Sequence, residues 1–148
     1  MTDYSARQIH LLSRPAGMPT HENFKLLEVE LEPPSDGQVL VKNLYMSVDP
    51  YMRGRMRAEG VYATPYGLNE AMYGGAIGEV IESNDDKLQA GDIVLNQAAW
   101  QDKFVADGAA LMKLEPFDND RLSYYLGTLG MPGLTAYVGL LKFGEPKE

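Results

Sequence analysis

Cysteine is absent from the 148 residues. That removes disulfides, thiolate metal ligands and a cysteine nucleophile in one step. Histidine is nearly as scarce. His10 and His21 are the only two, far from any paired-carboxylate pattern. Both read as ordinary surface or core histidines. Ser123 and Thr135 have no histidine nearby in sequence, so a hydrolase triad has no support. Positive charge is short as well: 13 Lys and Arg stand against 21 Asp and Glu, for a net charge of -8, and only Arg53, Arg55 and Arg57 lie close together. A grip on nucleic-acid phosphates needs a positive face, so no nucleic-acid partner is expected. The charge serves solubility instead. No apolar run approaches the roughly 20 residues of a membrane span. The segment Met1-Thr2-Asp3-Tyr4-Ser5 lacks a charged region followed by an apolar one. No secretory signal is read there, and the expected location is the cytoplasm.

What is present is an ordinary globular composition, 45% hydrophobic and 23% charged, in a chain long enough for one real core. Residues 4–12 read as a strand, broken by Arg14-Pro15-Ala16-Gly17-Met18-Pro19. From Phe24 to Leu31 apolar and charged residues alternate, with Phe24, Leu26, Val29 and Leu31 on the apolar side. That suits a half-exposed strand. Glu32-Pro33-Pro34-Ser35-Asp36-Gly37 is a turn. Gln38 to Val48 is the best strand, apolar on both faces and so expected to be central. Asp49-Pro50 ends it, because proline donates no ladder hydrogen bond.

Further strands are expected at 76–83, 93–95, 103–105 and 110–114, with a tight turn at Leu88-Gln89-Ala90-Gly91-Asp92. Short strands this frequent point to an all-β barrel or sandwich. After Glu115-Pro116 the pattern turns helical. Asp118, Asn119 or Asp120 would cap a stretch near 122–126. A second helix is expected from Pro132 to about Lys142, with Leu134, Tyr137, Val138 and Leu141 on one face.

Four stretches hold candidate chemistry. Ser47-Val48-Asp49-Pro50-Tyr51-Met52-Arg53-Gly54-Arg55-Met56 lies just past the central strand. Residue types alone favour a packed helical turn with Tyr51 and Met52 in the core. Tyr62, Tyr66 and Tyr73 share one irregular stretch. Phenols there stack on a ring and bond a carbonyl at once, but half-buried tyrosines closing a barrel end are the commoner outcome. Gly74-Gly75-Ala76-Ile77-Gly78 lacks phosphate-loop spacing and a following helix. Close backbone approach is the better account. Trp100 reads equally as a pocket wall or a core anchor.

Taken in order, four segments carry a resemblance: Ser47-Val48-Asp49-Pro50-Tyr51-Met52-Arg53; Tyr73-Gly74-Gly75-Ala76-Ile77-Gly78-Glu79-Val80-Ile81-Glu82-Ser83; Ala90-Gly91-Asp92-Ile93-Val94; and Leu126-Gly127-Thr128-Leu129-Gly130-Met131-Pro132-Gly133-Leu134-Thr135-Ala136-Tyr137. Together they resemble the zinc-independent medium-chain dehydrogenase/reductases, in particular the prostaglandin and leukotriene reductases and bacterial NADP-dependent double-bond reductases. Zinc-dependent relatives carry Gly-His-Glu where this chain has Tyr73-Gly74-Gly75, so the resemblance implies no metal.

The fold it implies is mainly β: a GroES-like, partly open β-barrel as catalytic lobe over residues 1–120, with a helical connector over 121–148 toward a Rossmann domain. The chain stops at Glu148, where that domain's first strand is expected, so a truncated piece without turnover of its own is expected. Its second helix should then self-associate or lose order. The implied reaction is NADPH-dependent reduction of the carbon–carbon double bond of an enone or enal. Tyr62 matches a substrate-contacting tyrosine and is the catalytic candidate. Tyr51 and Trp100 are substrate-wall candidates. Pro50, Met131 and Thr135 match positions at the nicotinamide end. A small-molecule enone, enal or quinone is the expected partner, and a homodimer the expected assembly. A quinone oxidoreductase of the same family and a non-catalytic GroES-like binding module are the alternatives. The tail motif at 130–135 speaks against the second, since a plain barrel has no need of it.

Overall fold

The computed structural model describes residues 2–59, 63–115 and 119–147. Its strands are β1 (Ser5–Leu11), β2 (Phe24–Glu30), β3 (Gln38–Met46), β4 (Ala76–Ser83), β5 (Ile93–Asn96), β6 (Lys103–Asp107) and β7 (Met112–Leu114). Two α-helices join them, α1 (Pro50–Arg55) and α2 (Met131–Val138). β1 and β2 form an antiparallel pair, and the other five make an antiparallel sheet in the order β6-β3-β4-β5-β7. Single bridges, Gln8 to Gln101 and His10 to Ala71, tie the pair to the rest. The result is a mainly β structure of two sheets, an open barrel rather than a closed one.

β3 is central, as its sequence implies, lying between β6 and β4. The expected burial of both faces holds only for its first half. Val39, Leu40 and Val41 are fully buried, whereas Leu44, Tyr45 and Met46 are exposed. The physical reason is pairing. The ladder to β6 ends at Lys42, so the last residues of β3 have a strand neighbour on the β4 side only. β3 also ends at Met46 rather than Val48. Along β2, Phe24 and Val29 are half-buried, as is Leu31 just past it, as the alternation suggested, whereas Leu26 is 61% exposed and Leu27 turns inward in its place.

Two apolar clusters form the core. One lies in the large sheet: Val39, Val41, Val80, Leu88, Val94 and Phe104. The second joins β1 to α1 and the tyrosine-rich stretch: Leu11, Met52, Met56, Tyr66 and Met72, with Ile9, Phe24, Tyr51 and Trp100 packed against it. A side chain at Gly78 would collide with Val41 Cγ1 and stand 2.9 Å from the Lys42 carbonyl oxygen. The glycine run therefore serves close packing of β4 on β3.

The helical stretch expected near 122–126 forms as a 3-10 segment over Asn119–Leu126, with Arg121 out of helical geometry. The expected cap at Asp118 lies outside the described residues. α2 starts at Met131, with proline in its first turn, and continues as a π-helical turn over Gly139–Gly144. Met131, Leu134, Tyr137, Leu140, Leu141 and Phe143 are all exposed on it. Among the described residues, no helix is long and apolar enough to cross a membrane.

Candidate functional site

The site is built on the turn from β3 into α1. Ser47 is fixed twice: its N–H donates to the Gly75 carbonyl at 2.9 Å, and its hydroxyl donates to Asp49 Oδ2 at 2.6 Å. Asp49 is extended, and Pro50 then takes the first helical position, where its missing N–H has no partner to lose. One turn of helix drives Met52 into the second core cluster and leaves Tyr51 half-buried on its edge. The expected packed turn is thus what forms, with Met52 as its anchor. Pro50 is exposed beside it.

Arginines tie this turn down. Arg53 Nη2 donates to the carbonyls of Pro15 at 3.1 Å and Gly17 at 2.6 Å. Arg14 donates to the carbonyls of Met56, Arg57 and Tyr66. Arg55 does something different. Its Nε donates to the Thr64 carbonyl at 2.8 Å, and its guanidinium carbon stands 4.0 Å from the ring centroid of Tyr73, 4.7 Å from Tyr66 and 6.0 Å from Tyr51. One cation thereby serves three aromatic faces. The spacing of Tyr51 and Arg55, four residues apart, held a signal for this. The contributions of Tyr66 and Tyr73 have no local signature.

Tyr66 is the fixed centre of the group. It is fully buried, its hydroxyl donates to the Tyr73 carbonyl at 2.8 Å, and its ring meets Tyr73 edge-on at 5.1 Å. Burial, and next the neighbouring Tyr51 phenol, push its hydroxyl from 10.0 up to about 12. The sign of the consequence follows. An unfolded chain releases this proton from about pH 10, while the folded one keeps it until about 12. The stability tied to Tyr66 is therefore complete below pH 10 and falls as the pH rises toward 12. Urea midpoints measured across that range should drop, and Tyr66→Phe should flatten the drop. An unchanged alkaline slope in the variant would contradict the assignment.

Gly74 lets Tyr51 approach. A side chain there would strike Met52 Cε and lie 3.2 Å from the Tyr51 hydroxyl. Trp100 reaches the same core from the bend after β5, in a left-handed conformation with φ 59°. That is unusual for a bulky residue. Its carbonyl accepts from Ile9 N–H at 2.8 Å, and its indole Nε1 is buried without a hydrogen-bond partner among the described residues. Trp100 also lines a groove of about 300 Å³ with Ile9, Leu26, Leu44, Tyr45 and Met46. It is therefore both a core anchor and a groove wall. The bend is held by amides: Asn43 Nδ2 donates to the carbonyls of Ala98 at 2.7 Å and Gln101 at 2.8 Å, and buried Asn96 donates to Asn43 Oδ1 at 3.0 Å.

The structure thus brings Tyr51 and Trp100 onto one core. It does not bury Met131 or Thr135 against Pro50: all three are exposed, Met131 at 68%. Thr135 lines a shallow groove on α2 with Leu134, Val138, Gly139 and Phe143. The start of the tail motif does reach the site, since Leu126 Cδ2 and Ser47 Cβ both flank Gly75. Tyr62 lies outside the described residues. Among those described, no three His, Asp or Glu side chains gather as metal ligands.

Residues 7–114 match a family described as the N-terminal domain of oxidoreductase. The chain is similar to the NADPH-dependent curcumin reductase of Escherichia coli (strain K12), 48% identical over 138 residues, 93% of this chain and 40% of that protein. It is similar to the NADP(+)-dependent 2-alkenal reductase of Nicotiana tabacum, 36% identical over 151 residues, 99% of this chain and 44% of that protein. Among solved structures, CurA from Vibrio vulnificus in complex with NADPH superposes with a TM-score of 0.87 at 45% identity, over 96% of this chain and 42% of that one. The chain spans about two fifths of the length of these relatives.

Proposed function

The chain belongs to the zinc-independent medium-chain dehydrogenase/reductases, as an N-terminal oxidoreductase domain, and on that premise we propose that it is the substrate-binding lobe of an NADPH-dependent reductase of α,β-unsaturated ketones and aldehydes. In this reading residues 1–120 form the catalytic lobe. Residues 121–148 connect it to a nucleotide-binding lobe, which holds most of the cofactor. The relatives' NADPH- and alkenal-directed activities support the reading. A small-molecule substrate, a cytoplasmic location and a homodimeric assembly belong to it.

The observation that carries it is the head of α1, where exposed Pro50 and half-buried Tyr51 stand just past β3 on a turn anchored by Met52. In this reading the cofactor's nicotinamide end meets α2. Met131 and Thr135 stand four residues apart on exposed α2, so a thioether and a hydroxyl share one side of the helix. A flat ring bearing a carboxamide can use both. When bound, NADPH would supply the hydride for the β-carbon, with a solvent proton completing the reduction at the α-carbon. The chain's own contribution is to hold and polarise the substrate. Tyr51 and Trp100 pack on the carbon skeleton, and the Tyr62 phenol donates to the carbonyl oxygen as negative charge develops there.

The test uses the complete protein with NADPH and, in turn, an enone, an enal and a quinone. NADPH should be consumed with the enone or enal, and deuterium from cofactor labelled at the transferring carbon should appear on the β-carbon. Tyr62→Phe should lower kcat about 10²-fold, the scale for loss of one oxyanion donor. Consumption with the quinone alone would overturn the proposal.

A further inference from the structure

We infer that Arg55 is a positioning residue for the substrate wall: its guanidinium joins the ring of Tyr51 to the rings of Tyr73 and the buried Tyr66. This rests on the reading of Tyr51 as a substrate contact. Three observations meet at this residue. The guanidinium lies over Tyr73 and Tyr66 at 4.0 and 4.7 Å and reaches Tyr51 at 6.0 Å, so the three rings share one cation. Arg55 also clamps the backbone of the tyrosine-rich stretch, through Nε to the Thr64 carbonyl and through its own carbonyl, which accepts from Tyr66 N–H, both at 2.8 Å. Finally, Tyr66 holds its place: it is buried and its hydroxyl donates to the Tyr73 carbonyl, so the cation rests on a fixed ring and reaches Tyr51 from there.

The other arginines near α1 work differently. Arg14 and Arg53 bond to main-chain carbonyls of neighbouring segments, which serves the fold. Arg55 alone, among the described residues, places its charge on the face of a candidate substrate residue. A ring held by a cation on one side presents its remaining surface in one orientation. That favours binding in ground state and transition state alike, and such uniform binding is read in KM rather than kcat.

The test compares Arg55→Gln, Arg55→Lys, Tyr51→Ala and the double variant Arg55→Gln/Tyr51→Ala in the complete protein, with an enone and NADPH. Arg55→Gln should raise the enone KM about tenfold, the scale of a partly desolvated cation–π contact, with kcat within about twofold. Lysine keeps a cation for the rings and should restore most of the loss. The double variant should be no worse than Tyr51→Ala, because Arg55 acts through Tyr51. A role in folding alone would lower Vmax and Tm and leave KM unmoved, and that result overturns the inference. Fully additive effects do the same. An impaired Tyr51→Ala beside an unaffected Arg55→Gln sinks the inference alone. An unaffected Tyr51→Ala sinks the substrate-wall reading beneath it.

Discussion

Replacement of Tyr66 by alanine is expected to cost about 3–5 kcal/mol of folding stability, the range for removing a large aromatic from a core. Tyr66 is 1% exposed at the centre of the cluster formed with Leu11, Met52, Met56 and Met72. Its removal opens a cavity, strands the Tyr73 carbonyl and frees the face on which Arg55 rests. Domains of this size hold about 5–15 kcal/mol in all, so the variant should sit near the edge of folding. Tyr66→Phe keeps the ring and loses one hydrogen bond, for about 1 kcal/mol. Urea midpoints at constant m measure both. A loss below about 1 kcal/mol for the alanine variant would mean that this cluster is not a core.

The second large effect is expected at Asn43. Leucine there removes two donors at once, leaving the Ala98 and Gln101 carbonyls unpaired and depriving Asn96 of its acceptor. Unsatisfied groups of this kind cost about 1–3 kcal/mol each when buried. Half-burial of Asn43 and relaxation of the bend bring the expected total to about 2–3 kcal/mol. The chain's single tryptophan, Trp100, lies inside the bend that Asn43 holds. Its emission should therefore shift in the folded variant before any denaturant is added. Asn96→Leu should give the same shift, and the double variant less than the sum of the two losses. An unchanged emission spectrum in both would show that the bend stands without the amides.

Much of the fold could be read from patterns of apolar residues and turns. The strands at Ser5–Leu11, Gln38–Met46 and Ala76–Ser83 are legible because burial imposes its period locally. The halt at Pro50 is legible because proline acts on its own backbone. Where local pattern and tertiary pairing part, the reading parts too. Leu44, Tyr45 and Met46 look like core residues, and their exposure depends on where the β6 ladder stops. The helix-like run near Leu122 turns 3-10, a distinction of geometry that apolar spacing over so few residues does not carry.

The site was legible in its parts and not in its assembly. The Ser47–Arg53 segment marks itself by crowding side-chain chemistry past a strand end. That Tyr51 and Trp100 would meet on one core depends on a long-range contact between α1 and the bend after β5. Asn43 reads as one of a few polar residues in a largely apolar strand. Its work is visible only once Ala98 and Gln101 lie within reach of its amide. Arg55 lies in the same crowded segment, but its full role is not legible there, because two of the three rings it serves, Tyr66 and Tyr73, come from the irregular stretch that follows.

The strand order has a consequence for how fast the chain can fold. β3 does not pair with β2, the strand before it. Its partners are β4 and β6, with Gln38 opposite Asp107 at the far end of the ladder. Loop closure must precede those contacts, and its entropic cost is met before any of them forms. Chains dominated by such distant pairings fold in about milliseconds to seconds, whereas helical bundles take microseconds. The β1–β2 pair, local and self-contained, can form early. Throughout that interval Val39 to Met46 is an apolar strand with both edges open, the state in which unpaired strands join other chains instead of their own. Crowded, warm refolding should therefore lose material through β3, and slow, dilute refolding should spare it.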